Sequence, residues 1–130
     1  MLFLNLLNML IQRVVASQKA KDLIDKLRSR HGELMFHQSG GCCDGSAPMC
    51  FEKGEFRLGE SDIRLGTVHG CEFYMSRFQF DYFKSCQLIL NVVEGRGASF
   101  SLEIPHGVRF ITESRLFSEE EIQALQSIEN

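Results

Sequence analysis

The sequence predicts an α+β fold: a compact domain of short, mostly antiparallel strands with a helix near each end. Three observations carry this prediction. Residues 17–30 place apolar side chains at helical spacing. Between residues 33 and 112, short apolar runs alternate with glycine- and proline-containing turn signals. Near the C-terminus, Ser118 precedes three consecutive glutamates, the pattern of a capped helix start whose acidic first turn complements the helix dipole.

Taken in order, the apolar start MLFLNLLNMLI has no basic leading region, is interrupted by Asn5 and Asn8, and runs into no small-residue cleavage pattern. It is also too short to span a bilayer. Residues 1–13 read as an N-terminal extension, with Met9 an alternative start, and residues 14–130 as a single domain. The expected setting is cytoplasmic and away from membranes. In SQKAKDLIDKLRSR, residues 17–30, Ala20, Leu23, Ile24 and Leu27 form one face, Ser17 is a natural N-cap and Gly32 a natural stop. A short strand is expected at 33–37 and a loop at 38–48, where Gly40, Gly41, Gly45 and Pro48 accumulate.

Further strands are expected at 49–52, 63–68, 71–75, 87–94 and 99–104. Lys53-Gly54, His69-Gly70 and Gly95-Arg96-Gly97 punctuate them, the last reading as a hairpin turn. Residues 76–85 read either as a short helix or as a Phe-rich connection. One more apolar piece covers 108–112. The lack of repeats or linkers fits one layered α+β unit.

Composition narrows the function. The chain has 130 residues, 44% hydrophobic and 24% charged, which suits a globular core. Eleven Phe and no Trp mean that aromatic packing rests on Phe. A net charge of −3 without a Lys/Arg cluster leaves no electrostatic footprint for nucleic acid. The five cysteines are Cys42, Cys43, Cys50, Cys71 and Cys86, an odd number that does not suit a secreted disulfide framework.

Three of these thiols fall within HQSGGCCDGSAPMC, residues 37–50, and mark a candidate site. Adjacent Cys42 and Cys43 cannot easily face the same way, so one is expected to face the site while the other packs. Cys50 lies beyond a proline turn that can bring it back. His37 can add an imidazole and Asp44 a carboxylate. His37 and His106 each border a glycine- or proline-containing turn and read equally as ligands or as structural histidines. Cys71 and Cys86 read as small buried hydrophobes, His69 as a turn residue, and His31 as a helix-end cation. Arg96, Arg109 and Arg115 read as solvated. The candidate metal-ligating set is therefore Cys42, Cys43, Cys50, His37 and His106, whose thiolate and imidazole donors suit zinc, iron or Cu(I). No Ser-His-Asp or HExxH arrangement appears.

The runs HGELMFHQSGGCCDGSAPMC, RLGTVHGCEFYMSRFQFDYFK, VVEGRGASFSLEIPHGVRF and SRLFSEEE resemble the bacterial domain of unknown function 779 family over nearly all of the chain from Val14 onward. Members are commonly encoded beside aldehyde dehydrogenases, so the resemblance implies a role near aldehyde or alcohol oxidation, with such a dehydrogenase as partner. A weaker resemblance is to HesB/IscA-type iron–sulfur carriers. It follows the order Ala20, the GGC loop, Asp62, then Val92, Gly97, Phe100 and Pro105. It implies a HesB/IscA-like fold and an iron–sulfur cluster, with Cys42 matching the first thiol and Pro105 the turn proline. His106-Gly107-Val108-Arg109 stands where those carriers have their C-terminal cysteines, so any metal must be completed by other residues, His37 and His106 first.

Three functions follow: a metal- or iron–sulfur-binding accessory protein, a thiol-based redox or aldehyde-handling enzyme, and a non-catalytic subunit of a neighbouring aldehyde dehydrogenase. Whether the chain catalyses a reaction is left open, and so is its oligomeric state, a homodimer included.

Overall fold

Helix α1 (Gln18–His31) starts and stops where local chemistry demands. The Ser17 hydroxyl accepts the Ala20 N–H at 3.2 Å, satisfying one of the orphan donors of the first turn. Gly32, at φ 78°, donates to the Arg28 carbonyl at 2.9 Å and ends the helix. The computed structural model describes residues 11–38, 47–95 and 101–129. Around α1 it sets strands β1 (Val14–Ala16), β2 (Leu34–Gln38), β3 (Met49–Glu52), β4 (Asp62–Val68), β5 (Cys71–Ser76), β6 (Cys86–Glu94) and β7 (Val108–Leu116). Two further helices, α2 (Arg77–Phe83) and α3 (Glu119–Glu129), and a 3-10 turn at Ile104–His106 complete the described elements. The α+β class is as predicted, with α1 and α3 near the two ends.

The strands form two sheets, in the orders β3-β2-β5-β4 and β1-β6-β7. Both are mixed: β2 pairs parallel with β5, and β1 parallel with β6, while the other three pairings are antiparallel. The β4–β5 hairpin closes through His69 (φ 48°) and Gly70 (φ 80°). Two consecutive positive φ values give the turn whose twist matches that of the strands it joins.

One core joins both sheets to α1. Ala20, Ile24 and Leu27 of α1 are fully buried with Phe36 of β2, Phe73 of β5, and Leu88, Leu90 and Phe110 of the other sheet. Phe36 is the centre of this packing. Its ring stacks on Phe73 at 5.9 Å within its own sheet and meets Phe110 of β7 edge-on at 4.9 Å. The expected reliance on Phe holds here.

One expected strand differs, and with it the hairpin turn expected at Gly95-Arg96-Gly97, of which Arg96 and Gly97 lie outside the described residues. The strand expected at 99–104 is partly outside the described residues, and its remainder is a turn followed by the 3-10 segment. β6 therefore pairs with β7 instead, from Cys86↔Leu116 to Glu94↔Val108, across a longer connection than a tight hairpin. Side-chain capture explains the difference. The buried Glu103 carboxylate accepts the Ser101 hydroxyl and the Phe110 N–H, curling the segment back onto β7. Ser101 and Leu102 meanwhile bond the backbone N–H and C=O of Cys50. The alternation in Ser-Leu-Glu-Ile looks like a strand but serves a strap between β3 and β7.

The C-terminal helix begins as expected. The Ser118 hydroxyl accepts the Glu121 N–H at 3.2 Å, and the Glu121 carboxylate accepts the Ser118 N–H at 2.9 Å, a reciprocal capping box. Leu125 and Phe117 bury Ile11, so residues 11–13 of the extension lie against the domain, where Arg13 donates to the Lys84 carbonyl at 2.8 Å. No helix among the described residues is long and apolar enough to cross a membrane.

Candidate functional site

Strand β2 is buried along its whole length, so both of its faces are covered. Alternation sends Leu34, Phe36 and Gln38 one way and Met35 and His37 the other. His37 lies beside Met49 of β3 and Tyr74 of β5. Phe56, from the connection between β3 and β4, stacks on the imidazole at 4.3 Å and packs against Phe51 at 5.0 Å. Asp62, the first residue of β4, then places Oδ1 2.7 Å from His37 Nε2, while its Oδ2 accepts the Gly59 N–H at 2.7 Å. The two side chains are 5% and 14% exposed.

Burial pushes the Asp62 carboxyl up, but the Gly59 N–H and the His37 imidazole outweigh it, and the group sits below its ordinary value. An ionised carboxylate only accepts hydrogen bonds, so the shared proton belongs to His37 Nε2. On the same sheet face Tyr74 donates to Glu72 at 2.8 Å, and that carboxylate, with burial, raises the phenol. The result is an oriented imidazole on a carboxylate, roofed by a phenylalanine.

Cys42 and Cys43, with Asp44, lie outside the described residues. The segment carrying them leaves from Gln38, next to His37, and returns to β3 at Met49, His37's cross-strand neighbour.

Cys50 is placed elsewhere. It pairs with Phe36, so its side chain lies on the core face of the sheet, opposite His37, and it is fully buried. Burial first, then Glu103 and Cys71, push its thiol far above the ordinary value. Such a thiol is neither a nucleophile nor a ready thiolate ligand. Iodoacetamide is expected to label Cys50 only once the protein is denatured, as read by peptide mass spectrometry. Rapid labelling of the native protein at Cys50 would contradict its burial.

His106 lines a separate pocket with Arg30 and His31, and that lining includes none of His37, Asp62 or Cys50. The structure thus does not bring His37, Cys50 and His106 together, and no group of three or more metal-donor side chains forms among the described residues. Cys71 is buried, its thiol raised by burial and partly compensated by Arg28, whose Nη2 lies 3.2 Å from the sulfur. Cys86 is half-buried at the start of β6. His31 pairs with Glu52 at 3.0 Å and His69 with Asp25 at 2.9 Å.

The sequence alone does not join Asp62 to His37. The two are 25 positions apart on strands that are not neighbours, and no local spacing links them.

Fold and site together define an α+β protein with a buried imidazole–carboxylate pair beside a cysteine-bearing connection. The model of the family described as Domain of unknown function (DUF779) matches residues 23–116, and the chain belongs to that family. The matched span runs from within α1 to the end of β7, so it includes His37, Asp62 and the connection between β2 and β3. A search of curated proteins finds no match.

Proposed function

We propose that the protein is a metal-binding accessory protein whose site is built on His37 and completed by the thiol of Cys42 or Cys43. The observation that carries this reading is the buried 2.7 Å contact between His37 and Asp62. A carboxylate behind an imidazole fixes the ring's tautomer and orientation and raises its basicity, which is how metal-ligating histidines are commonly supported. Thiolates with imidazole suit zinc, iron or Cu(I). The iron–sulfur option rests on the weaker resemblance to HesB/IscA-type carriers.

The word accessory has its own support. Phe78 and Tyr82, one helical turn apart on α2, are 78% and 76% exposed, and exposed aromatic pairs favour protein association. The choice of an aldehyde dehydrogenase as partner rests on the company the family keeps in genomes.

The same His37–Asp62 pair favours one second reading, a thiol enzyme in which the imidazole activates Cys42 or Cys43 as a nucleophile. Elemental analysis and absorption spectroscopy on anaerobically purified, reduced protein separate the two. The metal reading predicts close to one equivalent of zinc, iron or copper, lost in the Cys42→Ser or the Cys43→Ser variant. Metal-free protein of unchanged thermal stability, with one thiol alkylating far faster than free cysteine near neutral pH, would select the enzyme.

A further inference from the structure

The pocket that holds His106 is a distinct feature, and it has a chemistry of its own. It has a volume of about 290 Å³, at the lower end of what small ligands occupy. Arg30 and His31, from the last turn of α1, and His106 of the 3-10 turn line it. Leu102, Ile104 and Pro105 supply apolar surface between them.

Of the polar side chains lining this pocket, the Ser101 hydroxyl is already engaged by the Cys50 N–H and the Glu103 carboxylate. Neither the Arg30 guanidinium nor the His106 imidazole makes a side-chain hydrogen bond or ion pair with any described residue. His31 gives Nδ1 to Glu52 and has no described partner at Nε2. The Glu52 carboxylate is engaged with His31, and the Glu103 carboxylate is taken by the Ser101 hydroxyl and the Phe110 N–H. The permanently charged Arg30 guanidinium, with ring N–H groups able to donate beside it, favours an anion. A carboxylate can take paired N–H donors from Arg30 and a third from His106. The apolar floor then distinguishes an organic acid from a bare inorganic anion, because it can bury hydrocarbon.

We propose that this pocket binds a small organic carboxylate, with its head group on Arg30 and His106 and its hydrocarbon over Leu102, Ile104 and Pro105. This site stands apart from the His37–Asp62 pair and does not depend on the metal reading.

The test is an NMR titration of the full chain with hexanoate, following the His31 and His106 ring signals and the Leu102 methyl signals. Parallel arms use hexanol and inorganic phosphate. Saturable shifts of both histidines and of Leu102 with hexanoate are expected, with phosphate and hexanol each weaker by about ten-fold or more. Arg30→Ala and His106→Ala should each weaken hexanoate by a similar factor, and both lie at the surface, so circular dichroism should show an unchanged fold. No saturable shift with hexanoate would overturn the proposal. Equal binding of phosphate would overturn the choice of an organic acid, and equal binding of hexanol would overturn the role of the Arg30 and His106 donors.

Discussion

Asp62→Asn is expected to weaken metal retention by about 10–100-fold, the usual consequence of removing the partner that orients a metal-bound imidazole. The reason is local. Asp62 bonds His37 at 2.7 Å and the Gly59 N–H at 2.7 Å, so one carboxylate fixes both the ring and the end of the connection that precedes β4. Asparagine keeps the shape but not the charge that holds the proton on Nε2. Chelator competition on wild type and variant measures the change. Cys50 labelling, which reports the opposite face of the sheet, should stay the same in both. Equal chelator resistance would remove Asp62 from the site.

The same pair predicts a pH dependence with a defined sign. The Asp62 carboxyl lies below its ordinary value, so its contribution to folding is fully present above the usual carboxylate range. It is lost only as pH falls through the lowered folded value. Acid titration of stability should therefore show the wild type losing an increment that Asp62→Asn does not lose.

Phe36→Ala should have the largest effect on the fold, about 3–5 kcal/mol of destabilisation in denaturant unfolding. Phe36 is fully buried and touches Phe73 in its own sheet and Phe110 in the other. Its removal opens a cavity between the sheets, where α1 also packs through Ile24 and Leu27. Phe78→Ala, on the exposed face of α2, should be nearly silent by the same measure. A Phe36→Ala loss below 1 kcal/mol would mean that the two sheets do not share this core.

Helix α1 was legible because its signals are local: apolar spacing along one face, Ser17 before it and Gly32 after it. The His69-Gly70 turn and the Ser118 cap were legible for the same reason. Strand β1 was not, since three residues show no periodicity and their partner lies more than seventy positions away. Parallel pairing of β2 with β5 leaves no turn signal either, because the chain travels through β3 and β4 before returning. The strand expected at 99–104 failed because buried Glu103 and Ser101 take over backbone partners that a ladder would have used.

The candidate site divides in the same way. His37 and the cysteine-bearing segment stood out as residue types in an unusual local setting. Their separation from Cys50 depends on register: once Phe36 pairs with Cys50, alternation puts that thiol with the core and His37 with Asp62. Nothing in the spacing of His37, Cys50 and His106 reveals that they belong to three different surroundings.

On the proposed function, the chemistry belongs to the His37 face of the sheet and not to the Cys50 face. Metal content per chain, measured side by side on anaerobically purified His37→Ala and Cys50→Ala, tests it most directly. His37→Ala is expected to lose most of its metal, while folded Cys50→Ala keeps the wild-type amount. Metal retained by His37→Ala and lost from folded Cys50→Ala would contradict it.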